Sequence, residues 1–386
     1  MILIIDNETT GATNGTNGDP FSDCNRLVLA GTRPLGSSSG YCLFDGDHAR
    51  ISESGFSNYA HYSCLVGFNL KFDLHWSTRN KLYKPGPKLW DCQYAQYIIE
   101  RQKRPYLSLD QTLEYWGLPL KLDIVKTEYW EKGIDTDQVP FDILWEYLDG
   151  DLKLTELVYL HQKDYLEARP HLMRLFQMGM MDMQVTYEME QNGVPYNLKK
   201  SLEMDYDVQR RIEGIDSELT SLFGCDSINF NSGDCLSVLL FGGHLKEQYR
   251  ESYVRVLKSG EEKHKERWAV RLKEYPQLIK PLKGTELKKE GFYATNEDTL
   301  IKLKAKATKK VARIIDLLLE RAKLDKLSSS YLNGLPQLNR EHNWNGNILH
   351  GKINHATTRT GRTASASPNQ QNFPDQARLC IESRFS

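Results

Sequence analysis

Nowhere in this chain do two cysteines stand in a CxxC spacing, and its seven cysteines (24, 42, 64, 92, 225, 235 and 380) are odd in number. That argues against a zinc ribbon and a paired disulfide framework, and it suits a reducing compartment. Long hydrophobic runs are missing as well: none approaches the ~18 residues of a membrane helix. The opening MILIIDNETT has neither a basic n-region nor a small-residue cleavage site, so no signal peptide is expected. A soluble, cytoplasmic protein with no membrane partner is the expectation.

Net charge is nearly absent too, at −1, but that balance hides an asymmetry. Residues 1–170 hold 17 Lys+Arg against 24 Asp+Glu, and residues 171–241 hold 5 against 11. Residues 242–386 hold 28 against 16, a net of +12. A basic third on an acidic remainder suggests that one end grips a polyanion while another gathers carboxylates. Ordinary solvated charge is the plainer alternative. With 386 residues, two or three domains with ample apolar core are expected.

Residues 1–170 read as an α/β domain. Met1–Ile5 is an apolar run suited to a central strand; Arg26–Gly31, Tyr41–Phe44 and Cys64–Phe68 follow as strands. Helices are expected near Lys71–Asn80, after the Ser108/Gln111 capping box, and from Pro140 to about Ala168. The carboxylates of this region carry the chemistry. Asp6 and Glu8 are two apart where the first strand ends, so both point to one side. Asp73 begins a helix just after a strand, and Tyr147 and Asp151, four apart, share a helix face. Acids so placed suit a two-metal phosphodiesterase. Hard Mg²⁺ or Mn²⁺ takes oxygen ligands, and a pair of such ions can activate water and stabilise a leaving 3′ oxygen.

The phrases IIDNET, GFNLKFD and YLDGD resemble the D-x-E, N-x₃-D and Y-x₃-D motifs of the DEDD (DnaQ-like) 3′→5′ exonucleases. ATTRTGRTASASPNQQNFP, residues 356–374, resembles the segment that precedes the palm of family A DNA polymerases, including the phage enzymes related to T7 polymerase. QNGVPYN, NFNSGDCLSVLLFGG and KGTELKKEGFYATNEDTL are similar to thumb phrases of the phage enzymes. Ala364 and Ala366 depart from the pattern, standing at or near places where serine is usual. The resemblance implies an RNase H-like exonuclease domain (mixed sheet flanked by helices), a mainly helical thumb and the first strands of a palm. It implies that Asp6, Glu8 and Asp151 hold one divalent cation, that Asp6 bridges to a second, and that Asp73 completes the second site. Tyr147 would orient or help deprotonate the attacking water. Glu146 stands where a histidine-subtype enzyme has its His, so the tyrosine subtype is implied. Asn69, Arg359, Thr360, Arg362, Asn369, Gln371 and Asn372 would contact DNA. For a phage enzyme the compartment would be the bacterial host cytoplasm.

The implied boundaries are an exonuclease domain at 1–170, a thumb at 171–345 with a basic insertion at about 242–291, and an incomplete palm entry at 346–386. His171–Asn192 and Leu198–Phe223 read as helices stopped by Gly193 and Gly224, and Ser232 as the cap of a short helix ending at Gly242. The insertion, with 13 Lys+Arg against 8 Asp+Glu, leaves three alternatives open: a β-hairpin excursion, a DNA-facing flap, or a docking site for a processivity partner. Asn296–Leu332 reads as one amphipathic helix with Leu300, Leu303, Ala307, Val311, Ile314 and Leu318 as its stripe.

The motifs of nucleotidyl transfer (D-Y-S-x-x-E-L-R, the fingers-helix pattern, H-D-E) do not occur. The expectation is therefore the proofreading exonuclease and DNA-binding part of a split polymerase. Its partners would be a single-stranded 3′ end, a primer–template duplex, and a second polypeptide carrying fingers and catalytic palm. That partner would cover Ile348, Ile353, Phe373, Leu379, Ile381 and Phe385, expected to lack a core of their own. A free-standing exonuclease and a non-catalytic DNA-binding or assembly module are the alternatives.

Overall fold

The N-terminal apolar run folds as strand β1 (Ile2–Thr9), whose Leu3, Ile4 and Ile5 are wholly buried, as in a strand covered on both faces. The computed structural model describes all residues but 46–47, 53–54, 105, 122, 226–227, 257–261 and 384–386. After β1 come β2 (Leu27–Pro34), β3 (Gly40–Asp45), β4 (His48–Ile51) and β5 (Cys64–Gly67). Next are α1 (Leu70–Arg79), β6 (Lys88–Asp91), α2 (Cys92–Ile99), α3 (Leu109–Trp116), α4 (Ile124–Glu128), α5 (Phe141–Glu167) and α6 (Pro170–Asn192). The strands form one mixed sheet in the order β4-β3-β2-β1-β5-β6. β1 is antiparallel to β2 and parallel to β5, so it sits where the two pairing modes meet.

Register decides which face each β1 side chain occupies, because directly paired residues point the same way and successive ones alternate. Asp6 pairs with Gly31 and Glu8 with Leu29, while Asn7 pairs with Ala30. A Cβ on Gly31 would lie 2.8 Å from Leu152 Cδ1 and 3.0 Å from Leu148. So α5 packs on the face that carries Asp6 and Glu8, and glycine at 31 lets it come close. Ala30 clusters instead with Trp76 of α1, which places α1 on the opposite face. There Asn7 Nδ2 donates to the Asp73 carbonyl (3.0 Å) and to Ser77 Oγ (3.1 Å).

The chain packs as two units, residues 1–198 with 335–386, and residues 199–334. Packing thus divides the chain differently from the sequence boundaries at 170/171 and 345/346. The second unit contains nearly all of α7 (Leu198–Phe223; β7, Val194–Pro195, precedes it), α8 (Gly233–Phe241), β8 (Gly243–Val256), β9 (Glu262–Tyr275), α9 (Glu297–Lys304) and α10 (Lys309–Leu327). Its core gathers Ile215, Leu219, Val238, Leu240, Leu300, Leu303, Ile314 and Leu318. The expected single helix over Asn296–Leu332 is broken. Thr308 accepts the Val311 N–H (3.4 Å) and so starts α10 afresh. A π-helical turn at Ser328–Leu332 follows α10. The apolar stripe survives the break because both helices turn it to one core.

In the first unit, α11 (Gly334–His342) leads to β10 (Ile348–Leu349), β11 (Lys352–Asn354), β12 (Ala364–Ala366) and α12 (Asp375–Arg378). β10 pairs with β7, and β11 with β12. The expectation that this segment lacks a core needs correction: Leu349, Ile353, Phe373, Ala377 and Cys380 are buried and Ile348 is half-buried. Leu379 and Ile381 are exposed, at 61% and 41%, and Phe385 lies outside the described residues. Among the described residues no helix is long and apolar enough to cross a membrane.

Glu190 of α6 ties this segment down. Its carboxylate accepts Lys71 Nζ (2.7 Å) and the Ile353 N–H, and meets His75 Nε2 (2.7 Å). Lys71 Nζ also donates to the Ile353 carbonyl. The Gln191 amide donates to His75 Nδ1 (2.8 Å), which leaves Nε2 as the donor to Glu190. Burial holds the His75 pKa below its usual value, so the ring is neutral and the contact is a hydrogen bond rather than an ion pair. Removing the hub carboxylate strands a buried ammonium and a buried N–H. Glu190→Ala should therefore cost about 3–5 kcal/mol in urea unfolding at pH 7, and Glu190→Gln clearly less. A second titration follows from His355, whose Nε2 meets Thr186 Oγ1 (2.6 Å). Burial, then Lys71, push its pKa down to about 4. The unfolded chain binds this proton first, so stability should fall as pH drops from about 6.5 toward 4. His355→Gln should flatten that part of the urea midpoint–pH curve.

Candidate functional site

Three carboxylates meet where β1 ends. β1 continues through Asp6 and Glu8 to Thr9, with a register shift between Glu8 and Thr9. Its two acids face α5, and one turn after Tyr147 that helix presents Asp151. Ligand oxygens of Asp6, Glu8 and Asp151 lie within 4.8 Å of one another. Glu8 and Asp151 are buried and Asp6 is half-buried. Asp73, buried on α1, falls outside this triplet, but its pKa is raised first by burial and then by Asp6 and Glu8.

Crowded acids in a dry place hold their protons. Burial, then the Asp151 charge, pushes Asp6 up to about 7. Glu8 is raised well above the usual carboxylate range by burial, Asp6 and Asp151. Burial raises Asp151 as well, against the pull of Lys121. The backbone N–H of Asn7, 3.1 Å from Asp6 Oδ1, is the local donor that favours ionisation there. Asp73 Oδ1 is buried with no hydrogen-bond partner. A buried carboxylate oxygen without a donor, within the field of Asp6 and Glu8, is the pattern a hard divalent cation resolves. The residues present fit such ions.

Lys121 was not among the sequence candidates. It comes from the loop between α3 and α4, and its Nζ donates to Tyr147 Oη (2.7 Å) and to Asp151 Oδ2 (3.4 Å). Burial opposes its charge, but Asp151, Asp6 and Asp123 outweigh burial and its pKa rises. Burial and the neighbouring acids hold the Tyr147 phenol far above its usual pKa, so it keeps its proton. The spacing of Lys121 to the motifs is set by the fold, and no local pattern marks it.

The remaining candidates lie elsewhere in the first unit. Asn69 precedes α1 in a left-handed conformation (φ 59°) and is exposed. It lines a small cleft with Asp91, Tyr94 and His355. Arg359, Thr360, Arg362, Asn369, Gln371 and Asn372 are all at least partly exposed. Their segment is pinned from below: Tyr97 Oη donates to the Thr358 carbonyl (2.6 Å) and the Tyr106 N–H to that of Ala356 (3.0 Å). Thr358 Oγ1 closes the turn onto the Arg362 carbonyl (2.8 Å) around Gly361 (φ 74°).

Residues 272–384 match the sequence profile of DNA polymerase family A. The chain is 24% identical over 311 residues to DNA polymerase I of Synechocystis sp. (strain ATCC 27184 / PCC 6803 / Kazusa), an alignment covering 79% of this chain and 26% of that one. To DNA polymerase I of Bacillus subtilis (strain 168) it is 26% identical over 187 residues, covering 48% and 16%. Its fold is similar to the polymerase domain of Pol1 from M. smegmatis, solved with DNA primer-template and dNTP. The TM-score is 0.65 at 15% identity, over 98% of this chain and 53% of that one. The fold is thus similar to that of a polymerase domain, and residues 272–384 match the family A profile. The chain spans about a quarter or less of the length of these curated relatives.

Metal binding should relieve the crowding of the acids. Mn²⁺ should raise the melting temperature of the wild type. Glu8→Gln should raise that of the metal-free protein by about 2–4 °C, corresponding to about 1 kcal/mol, and should remove most of the Mn²⁺ shift. Differential scanning fluorimetry with EDTA and Mn²⁺ arms checks both.

Proposed function

We propose that residues 1–386 act as a 3′→5′ DNA exonuclease of the DEDD tyrosine subtype, with a surface that grips primer–template duplex, within a family A polymerase. The observation that carries this reading is the convergence of Asp6, Glu8 and Asp151 within 4.8 Å, with Asp73 close enough to feel Asp6 and Glu8 and its Oδ1 without a hydrogen-bond partner. The sheet order supports an RNase H-like exonuclease fold, with three antiparallel strands added to one side of β1 and two parallel ones to the other.

Asp6, Glu8 and Asp151 would hold one cation, with Asp6 shared and Asp73 completing the place of a second. Bound Mg²⁺ or Mn²⁺ would supply activation of the attacking water and charge stabilisation at the leaving 3′ oxygen. The chain's own groups do the positioning. Lys121 can only donate, so Tyr147 Oη accepts from it and keeps its own O–H free to hold the water or a phosphate oxygen. Tyr147 therefore acts as an orienting group that stays protonated. The burial of Glu8, Asp73 and Asp151 limits bulk water at the reacting phosphate.

Arg359 and Arg362 suit backbone phosphates, and Asn369, Gln371 and Asn372 suit sugar and base-edge contacts without demanding a sequence. Nucleotide addition is not proposed for these residues. It would need a catalytic palm and fingers from further chain or from a second polypeptide.

With Mg²⁺ or Mn²⁺ the protein should shorten 5′-labelled single-stranded DNA from its 3′ end, and EDTA should stop it. Asp6→Ala should lower the rate at least about 10³-fold. Tyr147→Phe should lower it about 10²-fold. Wild-type rates in Asp6→Ala would sink the assignment. Separately, Arg359→Ala with Arg362→Ala should weaken primer–template binding and flatten its log Kd–log salt slope by about 1 for each phosphate no longer neutralised. Indifference of the slope would make that segment purely structural.

A further inference from the structure

β8 and β9 form a two-stranded antiparallel hairpin of 14 residues per strand in the second unit. All of it up to residue 271 precedes the segment that matches the polymerase family. A bare two-stranded ribbon is marginally stable in water and presents both faces to solvent. Its composition alone, a modest basic excess, chooses no function. Its register sorts the charges.

Arg255 pairs with Lys263, Tyr253 with Lys265, Glu251 with Arg267, Tyr249 with Ala269, and Glu247 with Arg271. These rows share one face, because alternate residues of each strand and their direct partners point together. By register the outer rows of that face hold five cations, Arg255, Lys263, Lys265, Arg267 and Arg271, the next row adds Lys273 opposite Leu245, and Glu251 lies among them. All five cations are exposed. Glu251 is spent on Arg267 (2.8 Å). Tyr253 and Tyr249 lie beneath Arg267 and Arg271, with the guanidinium carbons 5.3 and 4.9 Å from the ring centroids. The rings thus hold the long side chains in place and lower the entropy lost when they bind an anion.

The other face alternates in a different way. It presents Trp268, Val270 and Leu272, each more than 60% exposed, among Lys246, Arg250, Glu266 and Glu274. Charged residues on exposed strands also discourage edge-to-edge aggregation. That need is met by charge on either face and does not sort the cations onto one. The spacing adds a further fit: side chains two apart on a strand repeat every ~6.8 Å, the rise of two nucleotides of one duplex strand at ~3.4 Å each.

We propose that the Arg255–Lys263–Lys265–Arg267–Arg271 face of the hairpin binds the phosphate backbone of duplex DNA without regard to sequence. The occupant is chosen by charge complementarity and by the matching repeat. This face belongs to the second unit and shares no residue with the Arg359–Asn372 segment or the carboxylate site of the first, so it stands or falls independently of the exonuclease reading.

The test uses the full chain in EDTA, with a fluorescein-labelled 40-bp blunt duplex followed by anisotropy from 50 to 200 mM salt. R255Q/K263Q/K265Q removes the distal cations, and K81Q/K84Q/K88Q removes the same charge from the first unit as a control. Circular dichroism and melting temperature confirm that both variants fold. The hairpin variant should bind the duplex at least 10-fold more weakly at the low-salt end, with the log Kd–log salt slope reduced by about 2–3. The control should lose much less of the slope, and both should digest a (dT)₁₀ strand at the wild-type rate with Mg²⁺. Equal losses in the two variants would show a general charge effect and overturn the proposal. Unchanged duplex binding in a folded hairpin variant overturns it as well. Were poly-glutamate binding lost in that case, the face would be assigned to an acidic protein.

Discussion

The mutual repulsion of acids gathered at the end of β1 is the constraint around which the first unit is built. Two carboxylates about 5 Å apart repel by roughly 3–4 kcal/mol at an effective dielectric of about 20, and here three crowd within that range with a fourth close by. Nothing in folding favours such a cluster for its own sake. It is held because β1, central in the sheet and wedged between α5 and α1, has no freedom to turn its side chains away. The partial compensations sit where the field is strongest: the Asn7 N–H at Asp6, and Lys121 between Tyr147 and Asp151.

Those compensations separate two kinds of buried charge in the same unit. Around Glu190 the account closes: one carboxylate meets an ammonium, an imidazole N–H and a backbone N–H, and its pKa is lowered despite burial. Around Asp6 it stays open, with pKa values raised and Asp73 Oδ1 left without a donor. The first pattern is how a fold joins α1, α6 and β11. The second is how a fold prepares a place for positive charge from outside. That contrast separates a structural carboxylate from a functional one more sharply than burial does.

The resemblances divide along the same line. The match to the family A polymerase profile is confined to 272–384, and the likeness to a solved polymerase domain, a likeness of fold, extends over nearly the whole chain. The exonuclease reading rests on geometry in the N-terminal sheet, outside the matched segment. Lys121 sharpens it, because it donates to the Tyr147 hydroxyl, which lies by the acids and keeps its proton.

Local rules carried much of this protein. Alternation in β1 put Asp6 and Glu8 on one face, the four-residue spacing of Tyr147 and Asp151 put both on one side of α5, and the Ser108/Gln111 box capped α3 as its spacing implies. Each depends on atoms a few residues apart. The strands β4 (HARI) and β6 (KLWD) are not marked by the sequence, because charged residues break the short apolar runs that mark β5 (CLVG). The break at Thr308 was hidden because an apolar stripe continues across two helices that share a core. What only tertiary structure decided is what depends on partners far apart in the chain. Lys121 reaches Asp151, Glu190 gathers Lys71, His75 and Ile353, residues 335–386 pack with the first unit, and the cations of β8 and β9 share a face only once the strands are in register. A sequence states which residues can alternate, cap or ionise; it does not state which distant charge will be brought within hydrogen-bond reach, and in a low-dielectric site that distance determines the chemistry.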